Sequence, residues 1–131
     1  MIPHHHLGMT LIDDATVRSH DVRLRRLVFE MSGYHANELE RLERWARDWS
    51  LPRADGFAGN VSDDSLARLS TLSGVAHDTW WLALMIEHHH GAVEMADAEL
   101  GSGARGDVRK LASGVRTVQT AELAAMRALL D

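Results

Sequence analysis

Apolar residues recur along most of this chain three and four positions apart, the spacing that gathers them on one side of a helix; the strict alternation of strands is missing. The clearest stripe reads Val28, Met31, His35, Glu38, Leu42, Trp45 and Trp49, and it would face a bundle interior although two of its members after Met31 are polar. The pattern predicts a first helix that starts near Pro3, where a missing N–H removes no bond, and ends near Thr16. A long second helix follows, from Val17 or Asp21 to Trp49. Leu51 to Val61, with Pro52, Gly56 and Gly59, reads as a linker. Ser62 should then cap a short helix with Asp63 and Asp64 in its first turn and Gly74 closing it. Asp78 is expected to cap a helix from Thr79 to about Leu100, Gly101–Ser102–Gly103 to turn, and a last helix to span about Arg105 to Leu130. Long helices joined by short connections predict an all-α fold, an up-and-down bundle of four principal helices.

The chain also repeats itself. Sliding it by 84 residues aligns 1–46 with 85–130 without a gap, and ten positions are identical. They are Met1/Met85, Ile2/Ile86, the three pairs of the triplets His4–His5–His6 and His88–His89–His90, Asp13/Asp97, Arg25/Arg109, Leu27/Leu111, Glu38/Glu122 and Leu39/Leu123. The second triplet argues against a purification tag at the first. One domain over 1–131 is expected, with a first repeat at 1–46, a linker and short helix at 47–77, and a second repeat at 78–131.

Composition narrows the chemistry. A net charge of −5 gives no basic footprint for nucleic acid or an anionic membrane, and no apolar run is long enough to span a bilayer. Cysteine is absent, which removes thiolate sites and disulfides. What stands out is nine His and six Met in 131 residues.

Those residues fall on helix faces. Met85, His88, His89, Ala92 and Met95 share a stripe roughly 100° wide, as do Met1, His4, His5, Gly8 and Leu11, with Met9 one turn after His5 as a substitute thioether. His6 and His90 point elsewhere, towards solvent. On the partner helices His35 and Glu38 match Gln119 and Glu122, polar pairs on an apolar seam that need bonded partners. A carboxylate holding one imidazole nitrogen leaves the other for a metal. If the two hairpins pack about a pseudo-twofold, His4, His5, His88 and His89 meet inside the bundle. The expected ligands are therefore His4, His5, His88, His89, Met85, Met95 and Met9, with Glu38, Glu122, His35 and Gln119 holding them in place. Imidazole and thioether without thiolate suit copper, as Cu(I) or Cu(II), or silver; zinc and nickel are compatible with the histidines. Acidification through the ordinary histidine range near pH 6.5 should release the ion.

Simpler readings stand beside these. The same cluster could be a buried hydrogen-bond network that fixes how the hairpins pack, in a structural or interaction module without metal. His20 and His77 are expected to be structural, Met31, Met126 and the four Trp to be packing residues, and Arg25 and Arg109 to lie on a solvated face. No His-Glu-x-x-His, phosphate loop or nucleophile elbow is present, so no enzyme is expected. Only Glu87 and His90 have the spacing of a ferritin-type di-iron helix, because Pro3 replaces the glutamate in the first repeat.

Met85 to Ala96, read as Met-Ile-Glu-His-His-His-Gly-Ala-Val-Glu-Met-Ala, followed by Gln119, Glu122 and Leu123, resembles the exported bacterial family called domain of unknown function 305. The first repeat shares Met1, Ile2, His4, His5, Gly8, Glu38 and Leu39 with that pattern and departs from it at Leu11 and His35. The resemblance implies a ferritin-like fold of two duplicated hairpins and a copper or silver site at His4, His5, His88, His89 and Met95. It further implies a metal buffer or chaperone in the periplasm, the cell envelope or outside the cell, with protein partners unspecified. About seven helical residues precede Met85, from Asp78, and none precede Met1; residues upstream of the chain are therefore expected.

Overall fold

The computed structural model describes residues 2–48, 61–102 and 105–130, and among them five helices and no strand. These are α1 (Ile2–Arg18), α2 (Val22–Asp48), α3 (Asp63–Thr71), α4 (Gly74–Ser102) and α5 (Gly106–Leu130). Helix α1 packs on α2 and α4, α5 packs on α4 and α2, and the short α3 rests on α4. The four long helices thus close a ring around a shared interior.

Helix α2 shows the narrow stripe read from the sequence: Leu24, Leu27, Val28, Met31, His35 and Glu38 are buried. Leu42 and Trp45 continue it half-buried, with Arg41 over the Trp45 ring, and Trp49 and most of the expected linker lie outside the described residues. Helix α4 has neighbours on three sides, so its buried residues spread around more of its circumference: Trp81, Leu82, Leu84, Met85, His88, His89, Ala92 and Ala96. Met31 and Met126 are fully buried packing residues, as expected. Trp81 is also fully buried, its indole N–H donating to the Leu11 carbonyl (2.7 Å), while Trp80 donates to Ser65 (3.0 Å) under the Arg68 guanidinium.

Helix ends account for most differences from the sequence reading. Ser62 does cap α3, its hydroxyl accepting the Ser65 N–H, with Asp63 and Asp64 in the first turn. Gly74 does not close that helix. The chain leaves α3 at Leu72, and Gly74, at φ +59°, begins α4 instead. Asp78 accordingly lies inside α4 and caps nothing; its carboxylate bonds His77. The last carbonyls of α3 are met from another helix, by the Arg18 guanidinium of α1 reaching the Leu69 oxygen (2.9 Å) and the Leu72 oxygen. Helix α1 itself runs two residues past Thr16, and α4 continues through Gly101 to Ser102.

Arg25 and Arg109 are not idle on a solvated face. Arg25 donates to the carbonyls of Thr16 and Ser19 at the end of α1, 2.8 Å each, and Arg109 donates to Leu100 near the end of α4 at 2.5 Å. Thr16 and Leu100 are themselves 84 positions apart. The identical arginines thus repeat one function, closing each hairpin by capping its first helix from its second.

Candidate metal centre

Neighbouring residues on a helix point about 100° apart, so a His-His pair aims at two targets. On α1 and α4 these pairs are His4–His5 and His88–His89, all four at most 2% exposed. His4 and His88 aim at each other, and their rings stack with centroids 3.6 Å apart and planes 12° from parallel. His5 and His89 turn to the second helix of their own hairpin. His5 Nε2 meets Glu38 Oε2 at 2.8 Å, and His89 Nε2 meets Glu122 Oε2 at 2.5 Å. One turn before those glutamates stand His35 and Gln119, both buried, with Gln119 Nε2 3.4 Å from His35 Nε2. The meeting of both halves in the interior is therefore present, and all four groups expected to hold the imidazoles are beside them.

The remaining candidates divide. Met85 is fully buried one turn before His88 and His89, whereas Met9 and Met95 are half-buried, Met9 against the main core; Met1 lies outside the described residues. His6 is exposed and pairs with Glu43 at 2.9 Å, and half-buried His90 faces Arg127 at 3.0 Å, so neither third histidine joins the cluster. His20 is exposed. Gly8 leaves room beside the imidazoles, as its small size on their stripe suggests. A Cβ there would come within 2.9 Å of His88 Cε1 and 3.0 Å of His35 Cδ2, so only glycine admits both rings.

Burial sets the protonation. It drives the histidines well below 6.5, to about 4 for His4, His35 and His89 and about 2 for His88, with neighbouring imidazoles adding to the effect. Burial, reinforced by Glu38, raises the Glu122 carboxyl to about 8. His89 and Glu122 therefore hold one proton between them at neutral pH, as neutral imidazole and neutral acid. Each neutral ring keeps one lone pair.

Two of those lone pairs go unused. His88 Nε2 donates to the His4 carbonyl at 2.7 Å, which makes Nδ1 the bare nitrogen, and Nδ1 has no hydrogen-bond partner. The His88 carbonyl acts as a backbone acceptor for the His4 ring and the Met85 carbonyl for the His89 ring, which leaves one nitrogen of His4 and Gln119 Oε1 as further atoms without a partner. An unsatisfied buried polar atom costs about 1–3 kcal/mol, so so many in one cluster require a reason. His77 shows the contrast. It is fully buried too, but its Nε2 bonds Asp14 at 2.6 Å and its Nδ1 bonds Asp78 at 2.9 Å, tying α1 to α4 with nothing left to offer a ligand. That is a structural histidine, as the sequence suggested. The central set fits a soft or borderline ion by donor chemistry. Among the described residues, however, no three His, Asp or Glu side chains already converge on one point, and parallel stacked rings cannot both aim in-plane lone pairs at one ion.

The profile of the family described as domain of unknown function (DUF305) matches residues 1–130, and the chain belongs to that family. Among solved structures, a DUF305 protein of Streptomyces coelicolor described as a candidate secreted protein superposes with a TM-score of 0.91 at 28% identity, over 99% of this chain and 85% of its own. A DUF305 fragment from Deinococcus radiodurans gives 0.90 at 28% identity, over 99% and 89%. CopM in its Cu(I)-bound form gives 0.84 at 23% identity, over 98% and 88%, and has also been solved bound to silver and to Cu(II). No curated protein matches the chain.

Proposed function

We propose that this chain binds a copper-group ion, copper or silver, through its interior histidines and serves as a metal buffer or chaperone in the periplasm, the envelope or outside the cell. The observation that carries this reading is the set of buried, neutral imidazoles in which His4 and His88 each keep a nitrogen without a partner. A network retained only to fix hairpin packing gains nothing from unpaired nitrogens, and His77 shows that this chain can satisfy a buried histidine fully. Met85 adds a soft donor beside them, zinc remains compatible with the imidazoles alone, and CopM, which shares the fold, is known with copper and silver bound. The resemblance to a candidate secreted protein supports the location, and no helix among the described residues is long and apolar enough to cross a membrane. On this reading the chain is one domain, a ferritin-like up-and-down four-helix bundle of two hairpins, and a carrier, not an enzyme.

Calorimetric titration with Cu(I), Ag(I) and Cu(II) tests the proposal. Saturable binding tighter than about 10 µM, roughly −7 kcal/mol, is expected for at least one of them, and its absence for all three overturns the reading. Burial also corrects the acid behaviour expected from the sequence. Imidazoles held near 4 stay neutral at pH 5, so release in the folded protein belongs near or below pH 4, not near 6.5.

A further inference from the structure

Resting on that metal-binding reading, we infer that His35 holds the ion itself, and that it joins the two halves into one shared site with His5 and His89. His35 stands where the second repeat has Gln119, so it is an imidazole that the duplication does not supply. Its Nδ1 donates to the Met31 carbonyl one turn back (3.2 Å), which leaves Nε2 as the lone-pair nitrogen. The group facing that nitrogen is the Gln119 amide at 3.4 Å, beyond the usual length of an N–H donor bond.

Ring separations admit this set, as they also admit His4 with His5 at 6.3 Å and His88 with His89 at 6.1 Å. With metal–nitrogen bonds of about 2.0–2.1 Å, an imidazole centroid lies about 3.2 Å from its ion, so two rings on one ion sit roughly 5.2 Å apart at a tetrahedral angle and 6.4 Å apart when opposed. His35 lies 5.7 Å from His5, 5.7 Å from His89 and 6.3 Å from His88, inside that window each time. The His4–His88 stack, at 3.6 Å, lies far outside it. His35 is therefore a ring from which both His–Glu pairs are within reach, and on this proposal the rings of His5 and His89 turn from their bonds to Glu38 and Glu122 when the ion enters.

A second departure accompanies the first. Position 8 is glycine where the second repeat has Ala92, and the missing Cβ would press on His88 Cε1 at 2.9 Å and on His35 Cδ2 and Nε2 at 3.0 and 3.2 Å. The glycine makes room for the additional imidazole. The pair of changes is what an added ligand needs.

The decisive experiment follows imidazole nitrogen resonances of the whole chain during titration with Ag(I), alongside calorimetry of His35→Gln, the residue that the second repeat tolerates. We expect His35 Nε2 to shift together with a His89 nitrogen, and His35→Gln to weaken Ag(I) binding at least tenfold while unfolding as the parent does. Tight binding by the parent with His35 Nε2 unmoved refutes the role of His35 and leaves the metal reading intact. An unchanged affinity in a folded His35→Gln does the same. No binding by the parent refutes both. Should His35→Gln fail to fold, the parent's own resonances still decide.

Discussion

The two hairpins share a frame and differ at its centre. Each has a histidine on its first helix bonded to a glutamate on its second, His5 to Glu38 and His89 to Glu122, and each has an arginine that caps the first helix from the second. Those contacts recur at the same 84-residue offset that aligns the sequence. Around them the halves diverge: glycine against alanine at 8 and 92, histidine against glutamine at 35 and 119, leucine against methionine at 11 and 95. Leu11 has gone into the core beneath Trp81, whereas Met95 is half-buried. What repeats builds the hairpins and supplies the His4–His88 stack between them; Gly8 and His35, which differ, lie beside that stack, so a site there can be asymmetric while its scaffold is not.

Acid should produce the largest effect, because it acts on both halves together. His4, His35, His88 and His89 are neutral in the fold below the pH at which an unfolded chain would protonate them. From pH 6.5 down to about 4 the unfolded state therefore binds more protons, and stability falls as pH falls, by about 1.4 kcal/mol per pH unit for each proton of difference. Glu122 opposes this: its raised value makes the folded state hold the extra proton between about 4.5 and 8, a contribution lost as pH rises. Four imidazoles outweigh one carboxyl. The metal-free protein should unfold in a single step between pH 6.5 and 4, followed by circular dichroism and tryptophan fluorescence. Two separated steps would show that the halves are independent units.

Removing one member of a His–Glu pair comes next. His5→Ala and His89→Ala each leave a buried carboxyl without its partner, which should cost about 1–3 kcal/mol in urea unfolding. Near-equal losses would confirm that the frame is symmetric. Glu122→Gln should cost at most about 1 kcal/mol at pH 7, since an amide N–H can replace the proton of a neutral acid in the bond to His89 Nε2. A loss as large as that of His89→Ala would mean that Glu122 is charged in the fold.

The sequence revealed the frame and the cluster because both are written in helical spacing. His4, His5, His88 and His89 fall on interior faces, and the matching offsets of Glu38 and Glu122 imply the bonds that the structure contains. Helix ends were less legible. Gly74 reads equally well as the close of α3 or the opening of α4, and an aspartate such as Asp78 resembles a cap until its bond to His77 is seen. The arginine caps were missed although both residues were noticed, because a nine-residue reach back to a carbonyl depends on the hairpin angle, which spacing does not encode. The stacking of His4 on His88 likewise depends on how two helices from different halves approach.

Exchange of the small residues tests the divergence at the centre. Gly8→Ala forces a methyl against His88 and His35, an overpacking change of about 1–3 kcal/mol, partly offset by the better helix propensity of alanine. Ala92→Gly should cost about 1 kcal/mol, chiefly in helix propensity. Combining Gly8→Ala with His35→Gln should recover the part of the first loss that comes from His35 and leave the part that comes from His88. Full additivity in thermal unfolding would separate Gly8 from His35 and weaken the case that the two departures belong together.

The smallest effect should come from the arginines, and it returns the comparison to the shared frame. Arg25 donates to two carbonyls at the end of α1, and the Leu100 carbonyl accepts one bond from Arg109 near the end of α4. A partly exposed carbonyl that loses a donor regains water, so each truncation to alanine should cost only about 1 kcal/mol. Arg25 Nη1 alone serves both Thr16 and Ser19, so a lysine, which keeps the charge beside the helix C-terminus, should restore part of the loss at either position. Amide hydrogen exchange in the last turns of α1 and α4 separates a local cap from a global effect: a cap releases those amides first and leaves the His cluster's protection in place. If exchange instead rises throughout both halves, the arginines hold the hairpins together, and the frame is more fragile than its repeated contacts suggest.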